Sequence, residues 1–238
     1  MVGLGNFFFR WRTSLSPLLL LLLLIPGPAM LGDPFVAAAL GLAVACAGQV
    51  VRAATIGYEY IVRGGRNHRV YADTLVTQGL FRHTRNPMYV GKFFMVLGAG
   101  IASNRWPAML AIAGAYAFMY QAVTLAEEDY LRRKFGPSFD EYCRRVPRWL
   151  PTFRGLGRTL SESAFRWRRV VVKEYSAPLG WTLPIAAIGL YNMAQAGDLG
   201  RRPAEAAVLY AAVGAALALW LVAGFLKRTH SPVFAAER

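Results

Sequence analysis

Acidic residues, cysteines and histidines are scarce in this chain of 238 residues, which has 13 Asp and Glu, 2 Cys and 3 His. Cys46 lies in an apolar run and Cys143 in a polar one, which excludes a disulfide scaffold. His68, His83 and His230 are scattered, and neither they nor the cysteines have ligand spacing, so no metal is expected. Charge is thin altogether: 17% of residues are charged and 55% are apolar, whereas soluble domains carry about 25% charged residues. A soluble dinucleotide-binding enzyme and a disordered basic tail are excluded. The charge that is present is one-sided, with 27 Lys and Arg and a formal net charge of +14.

The apolar residues fall into six long segments, at about 15–31, 34–54, 88–104, 106–127, 178–197 and 204–226. A helix of about 20 residues crosses the hydrocarbon core of a bilayer. The expected fold is therefore all-α, a polytopic helical membrane protein of about six transmembrane helices. The first segment holds seven consecutive leucines, Leu18 to Leu24, before Pro26-Gly27-Pro28, and follows Arg10 and Arg12. A signal peptide is one reading of it. The lack of a small-x-small cleavage site favours the other, a retained span.

The basic residues alternate by loop. The N-terminus, the 2–3 and 4–5 connections and the C-terminus hold 23 of them, against 3 (Arg105, Arg201, Arg202) in the other loops, with Lys92 inside span 3. Because cytoplasmic loops carry the Lys/Arg excess, both termini and both long loops are expected in the cytoplasm, in a bacterial inner membrane. The same excess attracts anionic headgroups of the lipid bilayer. No nucleic-acid partner is expected, since no soluble basic module is visible.

Two polar stretches, 55–87 and 127–175, can carry chemistry. The first includes Gly64-Gly65 and ends in Arg82-His83-Thr84-Arg85-Asn86-Pro87-Met88-Tyr89-Val90-Gly91. Pro87 suits the first turn of a helix and Asn86 its cap, which sets Arg85 and Asn86 at the positive end of span 3. The second begins inside helix 4 at Glu127-Glu128-Asp129, and Gly136-Pro137 should stop that helix. Glu128 has Arg132 at i+4 and Asp129 has Arg133, both ordinary exposed pairs. Glu127 has no local cation and lies nearest the hydrocarbon, so it is expected to face a polar cavity; an acid snorkelling at the interface is the alternative.

At these residues the chain resembles the integral-membrane methyltransferases that use S-adenosylmethionine, a group that includes isoprenylcysteine carboxyl methyltransferases and phospholipid N-methyltransferases. The matching pieces are Leu75-Val76-Thr77-x-Gly79, Arg85-Asn86-Pro87-x-Tyr89-x-Gly91, Glu127-Glu128, and Phe135-Gly136-x5-Tyr142-x2-Arg145-Val146-Pro147. They keep the family's order over about 75–151; the family often has His in place of Asn86. The resemblance implies that the turn, the Glu pair and the Tyr-x-x-Arg-Val-Pro segment wrap S-adenosylmethionine. It also implies that Arg145 lies beside the reacting carboxylate. Gly98-Ala99-Gly100 resembles a cofactor Gly-x-Gly of the phospholipid enzymes, although small residues equally let membrane helices approach closely. The chain then divides into two N-terminal spans (1–54), a methyltransferase core (55–153) and a basic linker with two further spans (154–238). The linker Arg166-Trp167-Arg168-Arg169 reads either as an interfacial amphipathic helix or as a topological anchor.

Methyl transfer needs alignment and a dry site, because the cofactor supplies the electrophile. Within the resemblance, Glu127 or Glu128 serves the ribose hydroxyls and amine of S-adenosylmethionine. Arg85 and the start of span 3 serve its carboxylate, and Tyr89 or Tyr142 its sulfonium. The acceptor is expected to be a membrane lipid or lipidated small molecule. The wealth of Arg tilts it to a carboxylate, which needs no base, over an amine, which must first lose a proton. Three rival readings are an NADPH-dependent sterol-type reductase with a similar turn, a non-catalytic lipid-binding protein, and a Cys143 nucleophile with no neighbouring His.

Overall fold

The computed structural model describes residues 1–59 and 71–229. Gly64-Gly65, His68 and His230, and the arginines at 63, 66 and 69, lie outside the described residues. Among the described residues all the named elements are helical. They are α1 (Val2–Leu19) with a 3-10 turn at Leu20–Leu24, α2 (Pro34–Tyr58), α3 (Pro87–Ala102) and α4 (Trp106–Phe135). After these come α5 (Pro137–Arg145), α6 (Leu156–Glu162), α7 (Trp167–Glu174), α8 (Ala177–Gln195) and α9 (Pro203–Arg228).

Four helical stretches are long and apolar enough to cross a membrane: Val2–Leu24, Pro34–Tyr58, Trp106–Phe135 and Pro203–Arg228. Pro87–Ala102 is a shorter apolar helix, and α8 covers the fifth expected segment. The chain is an integral membrane protein. Its first helix departs most from expectation: it runs from Val2 to Leu24, not from 15 to 31. Arg10 and Arg12 therefore lie within the helix rather than before it. The Pro26-Gly27-Pro28 break ends it earlier because a proline cannot donate to the helical ladder.

Proline at the first helical turn recurs in α2, α3, α4, α5, α8 and α9, where its missing N–H costs nothing. Asp33 caps α2, its carboxylate accepting from the amides of Phe35 at 2.8 Å and Val36 at 3.1 Å. Helix α4 has 30 residues, about 45 Å at 1.5 Å per residue. It outruns the bilayer core and stops at Gly136, whose φ of 52° only glycine adopts readily. Asp129 pairs with Arg133 as the spacing predicts, but Arg132 crosses to Asp140 of α5 at 2.8 Å.

Lipid tails are as apolar as leucine, so helices in a membrane associate through close packing of small residues. The α2–α3 pair shows this. A Cβ on Gly41 would lie 2.5 Å from the Gly98 carbonyl oxygen, and one on Gly48 would lie 2.4 Å from that of Gly91. The two glycine pairs are seven residues apart on each antiparallel helix. Helix α8 packs on both α2 and α3, and α1 packs along α4. The larger core cluster gathers Met95, Val96 and Ala99 of α3, Tyr116 and Tyr120 of α4, and Ile185 and Ile188 of α8. The linker helix α7 is attached to α2 by a bidentate pair between Glu174 and Arg52, at 2.6 and 3.0 Å.

Candidate active site

The two polar stretches of the sequence meet in space. The Arg85 amide donates to the Pro147 carbonyl at 2.9 Å, and the Thr152 amide to the His83 carbonyl at 3.0 Å. The Thr84 hydroxyl reaches the carbonyls of Arg148 and Trp149, and the Asn86 side-chain amide donates to Arg148 O at 3.0 Å. Asn86 occupies the cap position of α3, but its side chain makes no capping bond; it is spent on this cross-link. His83 is buried between Thr152 O at 2.6 Å and Thr159 Oγ1 at 2.9 Å. A carbonyl oxygen can only accept, so Nδ1–H donates to Thr152 O. Tyr142 donates to Phe81 O at 2.8 Å, and burial pushes its phenol pKa up.

This stapling sets two arginines around one acid. Glu128 is buried and accepts a fork from Arg148, at 2.9 and 2.7 Å, while an Arg85 Nη lies 3.4 Å away. Bidentate guanidinium–carboxylate pairs are the strong, geometrically specific ones. Glu128 therefore does not take the i+4 partner Arg132 that its spacing suggests. The sequence reading missed Arg148. Its signal, an arginine directly after Val146-Pro147, was hidden among twelve basic residues of the same loop.

Glu127, one residue earlier, has a different setting. The Tyr89 hydroxyl donates to its Oε1 at 2.7 Å, and an Arg12 Nη lies 3.3 Å from the same phenol oxygen. The Tyr89 and Tyr120 rings lie 4.7 Å apart, and Tyr116 follows at 5.9 Å from Tyr120. Arg12 also covers the Phe9 ring at 4.1 Å. Arg12 is a second residue that sequence reasoning missed, since an arginine before a leucine run reads as a topological anchor.

Part of this arrangement borders one cavity of about 990 Å³. Its wall includes Leu75 and Val76, then Arg85, Asn86, Tyr89, Glu127, Glu128 and Tyr142, with Arg12 from α1 and Trp181 from α8. Arg85 presents a buried Nε with no hydrogen-bond partner, a donor in need of an acceptor.

The remaining expected site residues stand elsewhere. Arg145 is 69% exposed and bonded to Glu141 on the outer face of α5; it is not on the cavity wall. Gly91 and Gly98 face α2, where a Cβ on Gly98 would lie 2.4 Å from Gly41 O. A Cβ on Gly100 would meet Met109 and Ile112 of α4. These three are packing glycines. Gly79 makes a turn with φ of 58°. Pro87 opens α3, and Val146 and Pro147 form the strap that holds Arg85; these position the site without lining it. Both cysteines are free thiols. Among the described residues no three His, Cys, Asp or Glu side chains gather in a metal-binding group.

The family model described as phospholipid methyltransferase matches residues 36–138. The nickel-cobalt-cadmium resistance protein NccN of Alcaligenes xylosoxydans xylosoxydans is 35% identical over 59% of this chain and 62% of its own. The protein-S-isoprenylcysteine O-methyltransferase of Schizosaccharomyces pombe is 31% identical over 44% of this chain and 46% of its own. That of Homo sapiens is 28% identical over 49% and 42%. The chain thus spans less than two thirds of the length of each of these relatives. No solved structure matches. Over 36–138 the chain is thus similar to the phospholipid methyltransferase family, and the relatives it resembles include isoprenylcysteine O-methyltransferases.

Proposed function

We propose that this protein binds S-adenosylmethionine in the 990 Å³ cavity and moves its methyl group to a lipid-like acceptor, by carboxyl O-methylation of an isoprenylcysteine type. The observation that carries the reading is the pairing of two unfinished groups on one wall. Glu127 receives a single phenol bond among the described residues, and Arg85 offers a buried, unpartnered Nε. A cofactor with a cationic amino group and a carboxylate complements such a pair. When bound, S-adenosylmethionine supplies a methyl carbon activated by sulfonium charge.

The protein's residues would hold and align it. Glu127 accepts hydrogen bonds from the amine or ribose hydroxyls, and Tyr89 fixes its orientation. The Arg85 Nε serves the carboxylate. Glu128 and Arg148 hold Arg85 in place and take no direct part. Tyr89, Tyr116 and Tyr120 present aromatic faces that exclude water and favour a cation. A carboxylate acceptor is ionised at neutral pH and requires no base; a phospholipid amine, the second acceptor class, requires one. In this reading residues 55–153 form the catalytic core, 1–54 add the α1 wall, and 154–238 add α8. The basic-loop excess sets the site and both termini on the cytoplasmic side.

The test is transfer of radiolabelled methyl from S-adenosylmethionine into a lipid extract by the full-length protein in detergent. The expected product is lipid-soluble, and its label is released by mild base, as an ester requires. Base-stable label assigns the amine class. No transfer together with oxidation of NADPH would replace this reading with a reductase.

A further inference from the structure

One charged group in the cavity takes no part in the arrangement above. Lys92 lies on α3 three residues beyond Tyr89, on the face that continues through Met95, Val96 and Ala99, and it lines the cavity with them. Three residues along a helix bring it about 5 Å deeper than Tyr89. The other lining cations are engaged. Arg52 is forked onto Glu174 and also donates to Met88 O. Arg85 faces Glu128, and Arg12 reaches Tyr89. Among the described residues Lys92 has no hydrogen bond and no ion pair. A lysine held inside an apolar helix is costly and marks a functional position by default.

Beside the cavity lies a second hollow of about 510 Å³, apolar in its lining. It is bordered by Leu179, Leu183 and Trp220 and shares Leu20, Ser176, Gly180 and Pro184 with the main cavity. Leu183 is 50% exposed and Trp220 40%, so the hollow opens on the outer, hydrocarbon-facing surface between α1, α8 and α9. An apolar hollow therefore adjoins a cavity in which Lys92 has no hydrogen bond or ion pair among the described residues, its nearest acid, Glu174, being forked onto Arg52.

We propose that Lys92 anchors the anionic head of the acceptor, a carboxylate or a phosphate, while the acceptor's apolar tail lies in the hollow between α1 and α8. This rests on the methyl-transfer reading and deepens it. It gives α8, which lies outside the family match of 36–138, a role in choosing the acceptor. The charge complementarity selects anionic amphiphiles and disfavours cationic ones of the same length.

The test measures equilibrium binding of radiolabelled oleate, oleyl phosphate, methyl oleate and oleylamine to the full-length protein in detergent. S-adenosylhomocysteine affinity is measured in parallel. The expected result is at least tenfold preference for oleate or oleyl phosphate over methyl oleate and oleylamine. Which of the two anions binds tighter assigns carboxylate or phosphate. Lys92→Met should abolish the preference, Lys92→Arg should retain it, and both should bind S-adenosylhomocysteine as the wild type does. An unchanged anion preference in Lys92→Met, or none in the wild type, overturns the proposal. A wild type that selects anions through Lys92 but does not bind S-adenosylhomocysteine keeps the subsite and removes the methyl-transfer reading.

Discussion

Glu127 and Glu128 are neighbours on α4, about 100° apart around the helix, and they carry opposite kinds of surroundings. Glu128 is closed off by the Arg148 fork and by Arg85. Glu127 is held by one phenol and otherwise meets the cavity. The contrast separates scaffold from site. A buried acid with two guanidinium partners ties loops together, whereas a buried acid with spare acceptor capacity awaits a ligand.

The largest effect should come from the closed acid. Glu128→Ala leaves Arg85 and Arg148 side by side with no counter-charge, a loss of about 3 kcal/mol for a broken buried pair. A fall of roughly 10 °C in the midpoint of thermal unfolding is the expected reading. Arg148→Ala should lower that midpoint by less, because its side chain is 31% exposed and partly screened. An unchanged midpoint in both variants would show that the 83–86 and 147–152 segments hold without the ion cluster.

Tyr89→Phe sharpens the other side of the comparison. It removes the hydrogen bond that orients Glu127, worth about 1 kcal/mol net. A fivefold weaker affinity for S-adenosylhomocysteine, with the thermal midpoint nearly intact, is expected from calorimetry. The smallest effect belongs to Arg145→Ala. Its pair with Glu141 lies on the surface, where such pairs contribute about 0–1 kcal/mol. Thermal midpoint and affinity should both stay close to wild type; a large loss of affinity would return Arg145 to the site.

Much of the fold was legible in the sequence, because proline after Asp33, Asn86, Gly136 and Arg202 marks helix starts by local chemistry alone. Apolar length marked the spans. Periodicity also picked out Glu127 as the acid without a local cation, and the structure gives it no cation of its own helix. What the sequence did not show depends on contacts between distant segments. Arg12 reads as an anchor until α4 brings it to Tyr89, 77 residues away. Arg148 and Arg145 are indistinguishable on paper. They part because α5 ends at Arg145 with its side chain outward, while the next segment turns back along residues 83–86. Gly91, Gly98 and Gly100 match a motif, yet their missing side chains serve the approach of α2 and α4. Spacing alone carries no information about which neighbour a glycine admits.

The central claim, that Glu127 faces a bound S-adenosylmethionine, is tested most directly by calorimetric titration of S-adenosylhomocysteine into the wild type and Glu127→Gln. Charge-assisted hydrogen bonds contribute about 1.5–3 kcal/mol each. The account predicts binding to the wild type and at least tenfold weaker binding to Glu127→Gln at an unchanged thermal midpoint. Equal affinity in the two proteins, or no binding to either, would contradict it.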